Sequence, residues 1–230
     1  MDELVRRLNR DRREVEKMVQ RGVIPGRRVG GEWQFNSTEI THWLEQEIRG
    51  YSNSELRAVE SAQHRTDQIV TLPVSTLLTP ELIQVPLEAR TKRSVIETLI
   101  ETAGKTWQIW EPAAIFEAVM AREEVLSTAF ENGVAIPHPR TPLPNAAGEH
   151  LIAFGRTFSG IPFGGPRRTL TDLFFLVLCR DSRTHLLVLA RLGRMLQLPD
   201  FVDNLRACED PRSAWETIRA ADEKIEAESA

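Results

Sequence analysis

The residue best placed to do chemistry is His138, which lies between two prolines in the segment 133–140, GVAIPHPR. An apolar, strand-like stretch leads into it. Pro137 and Pro139 restrict the backbone on either side, because the proline ring fixes φ. A neutral imidazole held in this way near pH 7 can act as a nucleophile towards phosphorus. Taken alone, the segment fits a loop histidine with a merely structural role better than a nucleophile.

Other titratable side chains give weaker signals. His185 lies near the start of a predicted helix and Arg122 near the end of another. A guanidinium can bind phosphoryl oxygens with two parallel hydrogen bonds, but an arginine at a helix end also complements the helix dipole. His185 equally suits a surface position. His42, His64 and His150 fit structural or solvated roles.

The composition excludes several classes of protein. The chain has 230 residues, of which 41% are hydrophobic and 27% charged, with a net charge of -4. It contains no apolar run near the ~18 residues of a membrane span and no secretory signal pattern, so we expect a cytoplasmic protein without membrane association. Cys179 and Cys208 are too few and too far apart for a zinc site, and no glycine-rich nucleotide motif occurs. We therefore expect neither a metal nor a cofactor.

The C-terminal two thirds should form an α/β domain. The segment 173–178, LFFLVL, is continuously apolar, as expected for a strand covered on both faces by helices. A mixed central sheet flanked by helices is the predicted fold. The predicted helices lie near residues 91–103, 112–123, 184–197 and 211–226.

The first 50 residues show the pattern of a winged helix-turn-helix. Apolar residues at helical spacing predict two short helices separated by a turn near Asn9. Gly30-Gly31 predicts a hairpin, and Asn36 followed by Glu39 predicts the capped start of a closing helix. Residues 1–31 carry nine Arg or Lys against five acids, an excess that could meet phosphate. We predict a domain over 1–50, a linker, partly helical, over 51–73 and a second domain over 74–230.

Three short motifs give the second domain a family resemblance. Arg122-Glu123, Ser127-Thr128 and the segment 133–138 resemble the core of the fructose/mannitol-type EIIA domain of the bacterial phosphotransferase system, a pattern that nitrogen-regulatory EIIA proteins share. The resemblance covers roughly residues 76–225. It implies that His138 accepts phosphate from the phosphocarrier HPr or its nitrogen-branch paralogue, that His185 is the second active-site histidine, and that Arg122 offsets phosphoryl charge. It also implies EIIB or regulatory target proteins as further partners.

Two residues depart from that family pattern. Ala129 replaces the glycine that usually follows Ser-Thr, and Pro139 replaces the glycine that usually follows the histidine. Pro139 removes a backbone N–H beside the phosphate position. Slow phosphorylation of His138, or a different donor, would follow if that N–H normally binds a phosphoryl oxygen.

The first domain resembles the excisionase and MerR-like winged helix-turn-helix families through the segments 21–25 and 29–35. By that resemblance the second helix enters the major groove of DNA, and a dimer or tandem partner supplies useful affinity. A helix that is merely solvated, or that binds protein, remains the alternative, because Glu14 and Glu16 repel phosphate. The residues expected to face DNA are Arg12, Arg13, Lys17, Arg27 and Arg28.

These observations favour a regulatory phosphocarrier that couples a phosphohistidine to DNA or partner binding. One alternative is a relay in sugar uptake that passes phosphate to EIIB, and another is an interaction module without phosphate chemistry. The pairing of His138 with His185 argues against the last. Whether such a carrier counts as an enzyme is left open.

Overall fold

The computed structural model describes residues 1–64 and 73–228, which form two compact units. One unit comprises Met1–Thr71 and Leu186–Gln197, and the other Leu72–His185 and Leu198–Ala230. Part of the predicted linker, residues 65–72, lies outside the described residues. The helices are α1 (Asp2–Leu8), α2 (Arg12–Gln20), α3 (Ser37–Ile48), α4 (Asn53–His64), α5 (Lys92–Gly104), α6 (Pro112–Val125), α7 (Ser182–Met195), α8 (Phe201–Ala207) and α9 (Pro211–Ala227). The strands are β1 (Arg27–Val29), β2 (Glu32–Gln34), β3 (Ile83–Gln84), β4 (Val134–Ala135), β5 (Leu151–Ile161) and β6 (Thr171–Leu178).

The first unit begins with the predicted helix-turn-helix. Asn9 ends α1 in the left-handed conformation, with φ of 48°, and the Asp11 side chain accepts a hydrogen bond from Arg13 N–H at the start of α2. Strands β1 and β2 pair antiparallel across Gly30-Gly31, whose φ angles of 60° and 90° are those that a tight hairpin turn requires. The wing predicted from the glycine pair is therefore present.

Helices α3 and α4 complete this unit together with Leu186–Gln197, most of which belongs to α7. The Asn36 side chain caps α3 by accepting hydrogen bonds from Thr38 N–H and Glu39 N–H. The apolar positions of the predicted pattern face inward, as the 3.6-residue period requires. The buried side chains include Leu4, Leu8, Val15, Val19, Ile24, Ile40, Leu44, Ile48, Leu56 and Val59.

The second unit contains a four-stranded mixed sheet in the order β3-β5-β6-β4. Strands β5 and β6 pair antiparallel, whereas β3 runs parallel to β5 and β4 runs parallel to β6. The side chains of residues 173–177 in β6 are completely buried, which explains the continuously apolar sequence. The mixed sheet predicted from the sequence is confirmed.

Helices α5 and α6 pack on each other, and α5 packs on β5. The core between these helices and the sheet contains the aromatic pair Phe163 with Phe174, at a ring-centroid distance of 5.2 Å. Phe154 and Phe175 form a second pair at 4.7 Å, and Phe175 lies on the face of the sheet opposite to Phe174 because successive residues of a strand point to opposite faces. Such tilted pairs add to the free energy that burial provides. Among the described residues, no helix combines the length and apolar composition needed to cross a membrane.

Candidate functional site

His138 follows β4 on a segment that the neighbouring strand fixes. The carbonyl of Pro137 accepts a hydrogen bond from Val177 N–H in β6 at 3.0 Å. Pro137 and Pro139 are both buried, and His138 itself is only 4% exposed. Its ring nitrogen Nδ1 lies 2.7 Å from the carbonyl oxygen of Ile136. The imidazole is thus held at its backbone and at one ring nitrogen.

This hydrogen bond assigns the tautomer of His138. A carbonyl oxygen can only accept a hydrogen bond, so Nδ1 must carry the ring proton. In the neutral imidazole the in-plane lone pair then lies on Nε2. Nε2 is therefore the nucleophilic atom of this side chain.

His185 lies in the first turn of α7, directly beside His138. The two ring centroids are 4.9 Å apart and the ring planes are inclined by 59°. Asp181 fixes this turn: its carboxylate accepts hydrogen bonds from Thr184 N–H at 2.8 Å and from the Thr184 hydroxyl at 3.0 Å. The Asp181 carbonyl also accepts from His185 N–H at 3.1 Å. Two imidazoles from distant parts of the sequence thus form one buried pair.

A third histidine supports the start of α7. His150 Nδ1 accepts a hydrogen bond from Arg180 N–H at 3.1 Å, and its Nε2 lies 3.6 Å from the carboxylate of Asp181. Because Nδ1 is the acceptor, the ring proton of neutral His150 lies on Nε2 and faces that carboxylate. His150 therefore holds the residues that precede His185.

Arg122 is buried near the C-terminal end of α6. Its guanidinium donates a hydrogen bond to the carbonyl of Leu126 at 2.7 Å. This contact satisfies one of the carbonyl groups that a helix end leaves without an intrahelical donor. A charge-compensating role for Arg122 towards a phosphoryl group stays a prediction.

The adjacent Glu123 has a role that the sequence did not reveal. Its carboxylate accepts hydrogen bonds from the backbone N–H of Thr128, at 3.2 Å, and from the Thr128 hydroxyl. It also pairs with the ammonium of Lys92 at 3.3 Å. The loop fixed in this way continues into Phe130, whose N–H donates to Val134 at the start of β4. Glu123 thus helps to define the path of the chain towards His138.

Gly133 marks a close approach just before β4. Its φ is 81°, and an added Cβ would lie 2.6 Å from Nη2 of Arg206. Arg206 binds the carboxylate of Asp172 with two hydrogen bonds, of 2.8 and 3.0 Å, and donates to the carbonyl of Asn132. The bidentate contact ties α8 to β6, and the bond to the Asn132 carbonyl ties α8 to the loop that precedes β4 and His138.

The residues expected to face DNA lie on the helix-turn-helix and its wing, in differing environments. Arg12 pairs with Asp2 at 2.5 Å and with Glu16 at 3.0 Å. Arg13 and Lys17 are exposed on α2 at a spacing that places them on one face. Neighbouring carboxylates therefore offset the positive charge of these residues to different degrees.

The two wing arginines also make internal contacts. Arg27 pairs with Glu39 at 3.3 Å, and the Arg28 guanidinium lies 5.9 Å from the centre of the Trp33 ring. Trp33 in turn stacks on Phe35 at a centroid distance of 6.5 Å. The wing thus presents exposed positive charge beside a stacked aromatic pair.

Fold and site together define a two-part protein, in which an α/β domain with two adjacent buried imidazoles follows a helix-turn-helix segment in the sequence. The chain belongs to the EIIA 2 family of the phosphoenolpyruvate-dependent sugar phosphotransferase system, whose family model matches residues 76–221. A second model, that of a helix-turn-helix domain, matches residues 1–47.

Known proteins resemble the family domain along nearly their whole length. A nitrogen regulatory protein of Bradyrhizobium diazoefficiens is 32% identical over 151 residues, which are 64% of this chain and 95% of that protein. The crystal structure of the nitrogen regulatory protein IIA-Ntr from Neisseria meningitidis has the same fold, with a TM-score of 0.55 and 22% identity over 63% of this chain and 98% of that one. The IIA mannitol enzyme of Escherichia coli, in a complex with phosphorylated IIB, gives a TM-score of 0.53 at 20% identity, covering 62% of this chain and 97% of that one.

Proposed function

We propose that this protein is a regulatory phosphocarrier, which accepts a phosphoryl group on Nε2 of His138 from an HPr-type donor and couples it to binding of DNA through residues 1–50. The observation that carries the proposal is the hydrogen bond between Nδ1 of His138 and the Ile136 carbonyl, which places the ring proton on Nδ1 and the nucleophilic lone pair on Nε2. The family and the similarity to nitrogen regulatory proteins support it.

The chemical step is a transfer between two nitrogen atoms. The Nε2 lone pair of His138 attacks the phosphorus of the donor phosphohistidine, so that a new N–P bond forms while the donor N–P bond breaks and its electron pair returns to the donor imidazole. Attack leaves positive charge on the His138 ring. The Ile136 carbonyl, which accepts the Nδ1 hydrogen, stabilises this charge.

In this proposal His185 and Arg122 assist the transfer. His185 is adjacent to the acceptor ring and orients the phosphoryl oxygens by hydrogen bonding. Arg122 is the proposed positive partner of the transferred group. Pro139 offers no N–H to the phosphoryl group. His185 and Arg122 therefore contribute more of the interactions that bind this group.

The direct test is phosphoryl transfer from phosphorylated HPr, or its nitrogen-branch paralogue, followed by intact mass and acid lability. We expect one acid-labile phosphoryl group on the wild type and none on His138→Ala. His42→Ala, which removes a half-buried histidine of α3, is the matched control for His138→Ala. Unmodified wild-type protein, with both donors active on a control EIIA protein, would refute the carrier function and favour a phosphate-independent interaction module.

DNA binding requires its own test. Fluorescence anisotropy with duplex DNA should show binding whose affinity falls as salt rises, because bound cationic side chains release counterions. The double variant Arg13→Ala/Lys17→Ala should lower both the affinity and the salt dependence. Arg219→Ala/Lys224→Ala, which removes the same charge from α9, is the control. Equal binding by both variants would show that α2 does not contact DNA.

A second candidate function is relay of phosphate to an EIIB partner. The similarity to a IIA enzyme in complex with phosphorylated IIB favours it. Onward transfer from phosphorylated protein to the cysteine of a purified EIIB protein is the measurement that separates relay from regulation. Rapid, complete transfer would favour relay, and retention of the phosphoryl group would favour regulation.

A further inference from the structure

Helix α4 carries two groups of charged contacts that the proposed chemistry does not use. The first joins α4 to the turn of the helix-turn-helix. The Arg10 guanidinium pairs with Glu55 of α4 at 2.9 Å and with Glu14 of α2 at 2.5 Å. It also lies 5.2 Å from the ring centre of Tyr51, just before α4. Arg10 therefore fixes the turn between α1 and α2 against α4.

The second group joins α4 to α7. Glu60 pairs with Arg194 at 3.0 Å and with Arg191 at 3.5 Å, and Arg194 also donates to the Asn53 side chain at 3.2 Å. All three charges are buried: the Glu60 side chain is 6% exposed and that of Arg194 only 1%. Both ends of the contact belong to the same unit, since that unit includes Leu186–Gln197.

The packing around these charges is close. An added Cβ at Gly193 of α7 would lie 3.1 Å from Cδ1 of Leu56, so the two helices approach each other at this glycine. Gln197 donates a hydrogen bond to the Tyr51 carbonyl at 2.8 Å. Apolar contacts alone tolerate sliding of one helix along another. A buried ion pair fixes one register, because displacement would leave charges without partners.

Helix α7 also carries His185 in its first turn. His185 and Arg194 lie on one continuous helix, about 13 Å apart along its axis at ~1.5 Å per residue. A displacement of His185 along or around this axis therefore displaces Arg191 and Arg194 as well. The two negative charges of a phosphoryl group beside His185 would change the electrostatic interactions of this side chain and so favour such a displacement.

We infer that α4 is the coupling helix of this protein and that Glu60 is its positioning residue. Glu60 connects α4 to α7, which carries His185, and Glu55 connects α4 to Arg10 in the DNA-binding turn. The inference rests on the proposed function, since it specifies how phosphorylation of His138 changes DNA binding. Coupling of this kind is reciprocal: phosphorylation changes DNA affinity by the same factor by which DNA changes the phosphorylation equilibrium.

The test compares the full-length wild type with Glu60→Gln, which removes one buried charge at nearly constant volume. Glu223→Gln is the matched control, because Glu223 forms an exposed pair with Arg219. DNA affinity is measured for phosphorylated and unphosphorylated forms of each protein. We expect a ratio on the order of tenfold for the wild type and the control, and less than about twofold for Glu60→Gln.

Two further measurements separate coupling from folding and from the proposed function. The charge-swapped variant Glu60→Arg/Arg194→Glu should restore the ratio, which a general loss of stability would not do. Imidazole NMR resonances of His185, recorded without donor or DNA, should shift in Glu60→Gln but not in Glu223→Gln.

The possible results bear differently on the coupling inference and on the proposed carrier function. A phosphorylated wild type with a DNA-affinity ratio of one, or an unchanged ratio in Glu60→Gln, overturns the coupling inference while the carrier function stands. If the wild type accepts no phosphate, the proposed function fails, and the His185 resonances decide the coupling inference by themselves. Unshifted resonances in Glu60→Gln then overturn it.

Discussion

Glu123→Ala is the substitution with the clearest expected cost in the second unit. The Glu123 side chain is completely buried and pairs with Lys92, which is 26% exposed. It accepts hydrogen bonds from both the N–H and the hydroxyl of Thr128. Alanine removes the acceptor of two buried donors and the partner of one ammonium group.

The magnitude follows from these contacts. Buried donors left without an acceptor cost about 1–3 kcal/mol, and removal of one partner from a buried ion pair costs about 3–5 kcal/mol. The Lys92 ammonium can reach water, so its part of the penalty is smaller than for a fully buried group. We expect a loss of about 3 kcal/mol in the free energy of unfolding, or roughly 150-fold in the unfolding equilibrium constant.

The assay is amide hydrogen exchange against urea, read by mass spectrometry on peptides of β5 and β6. Glu124→Ala is the control, because Glu124 is the next residue on α6 and is exposed. Its free energy of unfolding should stay within about 0.5 kcal/mol of the wild-type value. If Glu123→Ala shifts the midpoint no more than Glu124→Ala, the Thr128 donors find other acceptors and the reasoning is wrong.

Three further results are expected. Gly133→Ala should lower the free energy of unfolding, measured by urea denaturation, by at least about 1 kcal/mol, because the positive φ and the nearby Arg206 both disfavour a Cβ. A variant as stable as the wild type would contradict this. Burial raises the pKa of the Cys179 thiol, so native protein at pH 8 should resist iodoacetamide until urea is added, and rapid labelling would contradict this. Burial also raises the pKa of Glu60 above its ordinary 4.5, against the opposing effect of Arg194 and Arg191. Wild-type stability relative to Glu60→Gln should therefore be greatest below pH 4.5 and decline as pH rises through the folded-state pKa, and urea midpoints that keep a constant difference across that range would argue otherwise.

Local patterns predicted much of the fold because they depend on neighbouring residues. The apolar spacing near 211–226 indicated a helix, and α9 occupies Pro211–Ala227. The glycine pair indicated the wing, because positive φ angles favour glycine whatever the rest of the chain does. The α/β class followed from the continuously apolar segment of β6.

Features that depend on distant pairing escaped prediction. Strand β3 is only two residues long, and its existence depends on the parallel pairing of Ile83 with Phe154. It is too short for a periodic signal and has no local signature. Helix α8, with seven residues, was missed for the same reason.

In the candidate site, too, features with local sequence signals could be predicted, whereas contacts between distant residues could not. The prolines around His138 are a local signal, so the segment could be singled out from the sequence. Glu123 lies beside Arg122 in the same motif, but its importance depends on burial and on Lys92, 31 positions earlier. Glu60 and Arg194 are 134 positions apart, and a charged residue in a polar segment is ordinarily solvated. The roles proposed for His138, His185 and Arg122 stay predictions.

Helix α7 has a consequence for how such a chain could have arisen by gene fusion. A helix-turn-helix connected to an EIIA domain by a flexible linker would require no change in the surface of the EIIA domain. Here Leu186–Gln197 belongs to the same unit as the N-terminal segment, and Arg194 is buried against Glu60. Without Glu60, the buried charge of Arg194 would lower the free energy of unfolding. Moving either part alone into another protein is therefore expected to require substitutions on the surface of α7.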